Sequence, residues 1–372
     1  MALALTGMGL LSSIGHDVVT TCAALRAGLV RPAPIIGTDV LELDSGEMVP
    51  VMGHPVKGVT EGFLFVGLWT RMAERAIRDL LEYGGLPDPD RSDFWRTCEL
   101  LLVTPHLDPA RFPLLDGPVD ESFLKDGYAS TLLEITRLAI PTARAHAFPA
   151  GHVGVAAALE TAARIIEGGR AERCLIIAVD SYLEPDTLDW LAGHRRLKTG
   201  DNPVGLMPGE AGVALLLESS RAVEARGGHV DAWIHDAALV DTGSPREKKD
   251  ARRDGSALAK LLSSLMPELP FRGDVVVDLN GEQWRAREFG TALAHLGTGL
   301  AEARVLLPAT SLGDTGAASG GVGVCMAARA FARGYARTQE SVVVSLSETG
   351  QAAAIRLSHP APPGASRQRT RV

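Results

Sequence analysis

Cysteine is scarce in this sequence: the 372 residues contain four, and no two of them form a Cys-x-x-Cys pair. The lack of such spacings excludes a disulfide framework and a cysteine-rich metal or redox motif. Scattered single cysteines are instead typical of reduced, mostly buried thiols in a cytoplasmic protein. The four residues are Cys22, Cys98, Cys174 and Cys325.

Long apolar runs and basic segments are also missing. No apolar run approaches the roughly 18 residues that a membrane helix needs. Residues 1–11 contain no basic segment, so we expect no signal peptide. Aromatic residues make up only 5% of the chain and the formal net charge is −8, which argues against nucleic acid as a partner. We therefore expect protein partners and neither nucleic acid nor a membrane.

Glycine, by contrast, is plentiful, with 40 residues, and the hydrophobic fraction of 46% is ordinary for a globular protein. A chain of this length folds into two domains or two fused halves. We place the boundary at Gly227-Gly228, which gives a first half at 1–227 and a second half at 228–359. The end of the chain at 360–372 contains prolines and arginines and is predicted to be a disordered tail.

Short apolar runs alternate with amphipathic segments, which predicts an α/β protein whose sheets are covered on both faces. Predicted strands cover residues 2–8, 99–103, 174–179, 213–217, 232–237, 275–279, 304–307 and 342–346. Predicted helices cover residues 17–27, 63–83, 130–139, 151–167, 256–265, 284–296 and 316–331. Residues 29–60 are rich in proline and glycine and are predicted to be a loop.

Two helices rich in glycine and alanine indicate an internal repeat. Gly151 is followed by Ala163-Arg164 at offsets of 12 and 13 residues, and Gly316 is followed by Ala328-Arg329 at the same offsets. An apolar strand follows each helix. A duplicated βα unit, in which neither half can bury its sheet alone, explains this pattern.

Several motifs, taken in order, resemble the thiolase superfamily and in particular its β-ketoacyl-ACP synthase branch. Residues 6–15 resemble the family's opening strand and turn, 151–167 its nucleophile helix, and 208–218 its glycine-rich strand. Residues 278–281 resemble the Asn-Ala-His-Gly motif, and 311–320 resemble the motif that carries the second histidine. The resemblance covers nearly the whole chain. It implies the thiolase fold, in which two similar halves stack as a five-layer αβαβα sandwich.

The catalytic residues of that family do not occur at the matching positions. The family reaction needs a cysteine at a helix entrance, where the helix dipole favours the thiolate, and two histidines that stabilise a developing oxyanion. Phe148 takes the place of the cysteine in one alignment and His152 in another. Asn280 matches the first histidine, and Gly313 or Asp314 matches the second. The resemblance thus implies a vestigial pocket of these five residues, with no catalytic residue, metal or cofactor.

A general base at the helix entrance is one alternative. A neutral imidazole of His146 or His152 could act on Ser181 or Thr315, although a lone histidine is rarely catalytic.

A metal site is another alternative. Asp278, Glu282 and Asp314 could converge on an ion, but no histidine or cysteine accompanies them at ligand spacing. Loop carboxylates are the favoured interpretation.

The resemblance implies a binding, adaptor or scaffold subunit rather than an enzyme. Such a subunit is expected to form a homodimer, or a heterodimer with another thiolase-fold subunit, through its first half. It would act beside an acyl-chain synthase and its acyl carrier protein, similar to polyketide chain-length factors, or as an accessory protein of a secreted bacterial effector such as those of type VI secretion. The alternative is an acyltransferase or 3-oxoacyl-ACP synthase-type enzyme with a non-standard nucleophile or base.

Overall fold

The computed structural model describes residues 2–113, 123–243 and 254–360. The predicted disordered tail, apart from residue 360, lies outside the described residues. Within the described ranges, no helix combines the length and the apolar content that crossing a membrane takes.

Twelve strands and eleven α-helices are found among the described residues. The strands are β1 Leu3–Ser12, β2 Ala33–Leu41, β3 Met48–Gly53, β4 Cys98–Val103, β5 Ala145–Phe148, β6 Arg173–Ser181, β7 Glu210–Glu218, β8 Ala232–Asp241, β9 Asp274–Val277, β10 Arg304–Leu306, β11 Glu340–Leu346 and β12 Gln351–Ser358. The helices are α1 Val18–Arg26, α2 Phe65–Gly84, α3 Ser92–Trp95, α4 Ser130–Thr136, α5 Gly154–Glu167, α6 Pro185–Gly193, α7 Ser220–Arg226, α8 Ser256–Leu265, α9 Gln283–Leu296, α10 Ala309–Leu312 and α11 Ser319–Ala332.

The two halves of the chain have the same strand topology. In the first half the spatial order is β5-β4-β6-β7-β1, and in the second it is β10-β9-β11-β12-β8. Three neighbouring strands are parallel in each half, and the remaining two pairings are antiparallel. A short antiparallel pairing of β1 with β8 joins the halves into one ten-stranded sheet. The predicted boundary at 227–228 falls between β7 and β8, and the division into two domains stays a prediction.

Helices and sheet halves alternate in five layers. Helix α2 packs on β1 and β7 of the first half, and α8 packs on β8 and β12 of the second. Helices α5 and α11 contact strands of both halves and contact each other, so they form the central layer. The predicted five-layer sandwich of two pseudo-repeated halves is therefore confirmed.

The central strand β6 shows why the sequence folds into covered sheets. Because side chains alternate along a strand, its apolar run supplies two cores. Cys174, Ile176 and Ala178 pack in the central layer, whereas Leu175, Ile177 and Val179 pack in the outer layer against α2. A nearly continuous apolar run is what a strand buried on both faces requires.

The internal repeat is confirmed where the two central helices begin. A short 3-10 turn precedes each one, at Gly151–Val153 before α5 and at Gly316–Ala318 before α11. Both turns start with glycine at positive φ, 53° for Gly151 and 52° for Gly316. The two helix entrances therefore share one backbone conformation, and they lie next to each other in the central layer.

The prediction of a loop over residues 29–60 is wrong. The strands β2 and β3 form a separate two-stranded antiparallel sheet there. Its prolines and glycines masked the alternation: Pro34 and Pro50 lie on the outer face, and the register shifts between Pro34 and Asp39. Strand β5, helices α6 and α7 and strand β12 were also not predicted.

Candidate functional site

The residues that precede α5 turn sharply between strand β5 and the central layer. Phe148 ends β5, is half-buried, and packs against the central core. His152 lies one turn later in the 3-10 segment and is only 3% exposed. A Cβ on Gly151 would come within 2.9 Å of the His106 ring, so the turn is closely packed on that side. The two residues that compete for the cysteine position therefore differ: one is part of the core and the other is polar and buried.

His152 forms a buried polar trio with Asp314 and Asn280. We assign the proton of His152 to Nε2, which donates to Asp314 Oδ1 at 2.8 Å. The Asn280 amide nitrogen donates to Asp314 Oδ2 at 2.6 Å, and the Gly316 backbone N–H donates to Oδ1 at 2.9 Å. Both oxygens of the Asp314 carboxylate therefore have donors, and its negative charge is directed at protein groups rather than at open space.

Arg285 supplies a positive charge beside this trio. The guanidinium is fully buried, and its Nη1 donates to Asp278 Oδ2 at 3.0 Å and also to the Leu346 carbonyl. Its Nη2 lies 3.0 Å from His152 Nε2. A single imidazole nitrogen cannot both donate and accept a hydrogen bond. Because Nε2 donates to Asp314, it does not accept from Arg285, and the two side chains are only in packing contact. Arg285 therefore forms an ion pair with Asp278, and its charge also lowers the pKa of Asp314.

Two further arginines complete a buried charge network. Arg196 binds Glu282 in bidentate fashion, with both distances at 2.9 Å, and reaches Glu348 at 2.7 Å. Arg111 donates to Asp180 at 2.6 Å, and the Ala317 backbone N–H donates to the other oxygen of Asp180. We define the charge network as Arg111, His152, Asp180, Arg196, Asp278, Asn280, Glu282, Arg285, Asp314 and Glu348.

The electrostatics of the network follow from burial opposed by paired charges. Burial alone would raise the pKa of Asp314, but the interaction with His152, including its hydrogen bond, and the nearby charge of Arg285 hold that pKa well below its usual range. Burial likewise opposes ionisation of Glu348, yet Arg196 lowers its pKa to about 2. For Asp278, burial prevails over the attraction of Arg285 and raises the pKa.

Little free space remains at this position. The cavity that Gly313, Asp314, Asp278 and the strands β9 and β11 border has a volume of about 10 Å³. A cavity needs roughly 10–15 Å³ to hold one water molecule. The turn from Ser347 to Gln351, which connects β11 and β12, closes with backbone hydrogen bonds. A cavity of this size is too small for an acyl chain.

Four of the five predicted pocket residues come together. His152, Asn280 and Asp314 are hydrogen-bonded, and Gly313 precedes Asp314 at φ 69°, where a Cβ would meet the Met207 carbonyl at 2.7 Å. Phe148 makes no polar contact with them among the described residues and belongs to the core. The five residues were predicted as a pocket, and whether they are its remnant stays a prediction.

The arginines of the network were missed from the sequence. The sequence suggests that the carboxylates of Asp278, Glu282 and Asp314 converge, and buried carboxylates require positive partners. That rule predicts arginines but does not say which ones. Arg111, Arg196 and Arg285 occur in segments without a motif, so only the folded chain identifies them.

Among the described residues, no hydrogen bond joins His146 or His152 to Ser181 or Thr315, as the general-base interpretation would need. Ser181 Oγ donates to Glu210 at 2.8 Å, and His146 binds Glu99 at 2.9 Å. His152 binds Asp314 instead of a hydroxyl. Each candidate base therefore has a carboxylate as its hydrogen-bond partner.

The carboxylates also do not form a metal site. Among the described residues, no group of three or more His, Cys, Asp or Glu side chains is arranged to hold an ion. Asp278, Glu282 and Asp314 do approach one another, as the sequence suggested, but arginine and asparagine donors occupy their oxygens.

The cysteines are buried and free, as predicted. Burial raises the pKa of Cys22 and of Cys174 to about 12. It raises the pKa of Cys98 and Cys325 well above the usual value. Since the thiolate is the reactive form, these thiols are poor nucleophiles.

Glu184, at the start of α6, gives a pH-dependent prediction. Burial raises its pKa to about 7, against the hydrogen bond that the Phe65 N–H donates to Oε2 at 2.6 Å. A carboxyl whose pKa is raised by folding lowers the free energy of unfolding as the pH rises from about 4.5 to about 7. We expect Glu184→Gln to be more stable than the parent at pH 8, by about 1–3 kcal/mol, in urea unfolding followed by circular dichroism.

Exposed Glu134 provides the matched control. Glu134→Gln is expected to stay within about 0.5 kcal/mol of the parent at pH 5 and pH 8. A Glu184→Gln protein that is less stable than the parent at pH 8 would contradict the prediction.

Comparisons with known proteins reveal the fold but not a family. No protein-family model matches the chain, and no curated protein matches it. Solved structures do match. The ketosynthase of a type II polyketide synthase, in complex with its acyl-carrier protein, superimposes with a TM-score of 0.74 at 14% identity, over 96% of this chain and 99% of that one.

Two further structures give the same result. The ishigamide ketosynthase/chain length factor has a TM-score of 0.73 at 16% identity, over 97% of this chain and 99% of that one. A β-ketoacyl synthase from Burkholderia phymatum has a TM-score of 0.72 at 16% identity, over 96% and 99%. At such identities the similarity establishes the architecture alone. This chain therefore has the thiolase fold of the ketosynthases over nearly its entire length.

Proposed function

We propose that this protein is a catalytically degenerate ketosynthase-fold subunit that acts by binding another protein and not by forming an acyl thioester. One observation carries the proposal. The helix entrance that would present a nucleophile instead faces a buried charge network, and the cavity beside Asp314 has a volume of about 10 Å³. A buried network without room for a substrate supports structure rather than turnover.

The negative charge of Asp314 also argues against a condensation reaction. Condensation requires hydrogen-bond donors aimed at an oxygen that gains negative charge. Here Asp314 places a carboxylate in that region, and its pKa is held low by His152, so it stays ionised. A negative group disfavours a developing oxyanion. We take Phe148, His152, Asn280, Gly313 and Asp314 as the remnant of the pocket.

The charge network has a structural role in this proposal. His152, Asp180 and Arg196 come from the first half of the chain, and Asp314 and Glu348 from the second. Their bonds cross between the halves at the centre of the molecule. The network thereby fixes the two halves relative to each other and keeps the outer surfaces rigid enough to bind a partner.

We propose a dimer, with a second copy or with another thiolase-fold subunit, formed through the first half. Strand β5 is the end strand of the sheet among the described residues, and the outer edge of an end strand is able to pair with a strand of a partner. One of the similar structures is the ishigamide ketosynthase/chain length factor. The partner would belong either to an acyl-chain synthase or to a secreted bacterial effector system. We expect the protein to work in the cytoplasm.

Acyl labelling tests the proposal. The protein is incubated with acyl-CoA and, separately, with an acyl-loaded carrier protein, and its intact mass is measured. We expect no mass increase, since the four thiols are buried and the cavity beside Asp314 has a volume of only about 10 Å³. An active ketosynthase treated in parallel serves as the positive control.

The variant Phe148→Cys sharpens the test. It places a thiol at one of the two positions that align with the family's nucleophile, and it changes no residue of the charge network. We expect it also to remain unlabelled, because residue 148 packs against the central core and the cavity beside Asp314 is too small for an acyl chain. A stable adduct on any residue of the parent protein would contradict the proposal and favour an acyl-transferring enzyme.

A further inference from the structure

The hairpin of β2 and β3 has two faces of different character. Cross-strand register pairs Val40 with Val49, and Leu41 with Met48. The valine pair faces inward, where Val40 packs on a small core with Tyr182 and Leu188. Because side chains alternate along a strand, the Leu41–Met48 pair lies on the opposite, outer face.

The outer face has several apolar side chains that the described residues leave largely exposed, beside the exposed Asp39. Exposed fractions are 99% for Ile36, 63% for Leu43, 61% for Met48 and 53% for Leu41. These four residues lie within one short hairpin, which we call the hairpin face. Single exposed apolar residues are common on protein surfaces, but an apolar group this concentrated indicates a binding surface.

A groove adjoins the hairpin face and extends it. Its volume is about 350 Å³, and its lining combines apolar residues, among them Leu41 and Leu43 of the hairpin and Ala192 and Leu197, with polar residues such as Asn202. Such a volume accommodates a large apolar side chain of a partner.

The groove is held open by fixed contacts. The Leu43 N–H donates to Asp201 Oδ2 at 3.1 Å, and the Gly200 N–H donates to Glu42 Oε1 at 2.8 Å. The tip of the hairpin is thereby tied to the facing loop. A preformed groove loses little conformational entropy on binding.

The acidic charge of the hairpin indicates the kind of partner that it binds. Between Pro34 and Gly53 the chain has four acidic residues and no lysine or arginine. The acidic residues are Asp39, Glu42, Asp44 and Glu47. Asp39 and Asp201 also line the groove, opposed there by Arg195. A second copy of this chain, with a formal net charge of −8, is a poor electrostatic match.

We propose that the hairpin face and its groove bind a basic amphipathic segment of a partner protein. An apolar side chain of that segment fills the groove, and its lysines or arginines lie next to the acidic residues of the hairpin. This surface is separate from the helix entrance and from the edge of β5, so the inference does not depend on the acyl-labelling result.

Fluorescence anisotropy with two synthetic peptides tests the proposal. One labelled helix-forming peptide consists of leucine and lysine, and its partner has glutamate in place of every lysine. We expect the basic peptide to bind the parent protein, more weakly at high salt, and the acidic peptide not to bind. The double variant Leu41→Thr with Met48→Thr should weaken the basic peptide at least about tenfold, since threonine preserves the strand but removes the apolar surface.

Two controls separate the hairpin face from general attraction between charges. Val305→Thr removes an exposed apolar side chain elsewhere and is expected to leave binding unchanged. A benzophenone group in the basic peptide should cross-link within residues 34–53. Equal binding of both peptides, undiminished binding by the double variant, or cross-links elsewhere would overturn the proposal. So would a dimer, seen in sedimentation velocity, that the double variant abolishes, because it would assign the face to a second copy.

Discussion

Replacing Arg285 with alanine is expected to lower the free energy of unfolding by about 3–5 kcal/mol, because it leaves buried carboxylates without a counter-charge. Arg285 is fully buried, and its guanidinium contacts Asp278 and lies beside His152. Removing it also leaves the Leu346 carbonyl without its donor. Neither Asp278 nor Asp314 can reach bulk water to compensate, since both are buried. Urea unfolding at pH 7 measures the loss.

An exposed ion pair gives the comparison. Arg272 and Glu302 are 2.8 Å apart, with side chains 66% and 50% exposed. Arg272→Ala is expected to cost no more than about 1 kcal/mol. Equal losses for the two alanine variants would show that the buried network contributes nothing beyond a surface pair.

A double variant tests whether the charge itself is responsible. Arg285→Met combined with Asp278→Asn removes one charge of each sign and keeps side chains of similar size. We expect this protein to be more stable than Arg285→Ala, because no unpaired carboxylate remains at Asp278. If it were less stable, the cost would lie in packing rather than in the lost counter-charge.

Gly316→Ala is the second substitution with a large expected effect. It should lower the free energy of unfolding by about 3 kcal/mol or more. Gly316 starts the second helix entrance at φ 52°, which costs a non-glycine residue about 1–2 kcal/mol. The new Cβ would also lie 1.9 Å from Asp180 Oδ2. That carboxylate cannot move away freely, since Arg111 and the Ala317 N–H hold it. Overpacking of this kind typically costs about 1–3 kcal/mol more.

Gly85 separates the backbone cost from the clash. It has nearly the same φ, 54°, but no atom lies within 4 Å of the position of its Cβ. Gly85→Ala should therefore show only the loss due to its dihedral angle, about 1–2 kcal/mol. Thermal and urea unfolding of both variants measure the difference in their free energies of unfolding. A Gly316→Ala protein as stable as Gly85→Ala would contradict the predicted steric clash with Asp180.

Local patterns in the sequence were sufficient for much of the fold. The helix predicted at 256–265 has those bounds, and the apolar run at 174–179 forms the centre of β6. The repeat that starts at Gly151 and Gly316 corresponds to two matching helix entrances. These features depend on periodicity and on glycine at positive φ, which are properties of short segments.

The sequence was less informative where local signals conflict with long-range packing. The hairpin of β2 and β3 was predicted as a loop because proline and glycine interrupt its alternation. Its strands form since Val40 and Val51 pack on a core supplied by residues far along the chain, such as Leu188. Propensity is a weak signal when tertiary contacts stabilise a short strand.

By itself the sequence determined that this is a layered α/β protein with an internal repeat, and it identified the motif positions around His152, Asn280 and Asp314. Only the tertiary structure decided what surrounds them. His152 and Asp314 are 162 positions apart, and Arg196 and Glu348 are 152 apart. Hydrophobic periodicity is read within a few turns of chain, whereas the partner of a buried charge is chosen by whichever side chain the folded backbone brings within hydrogen-bond distance.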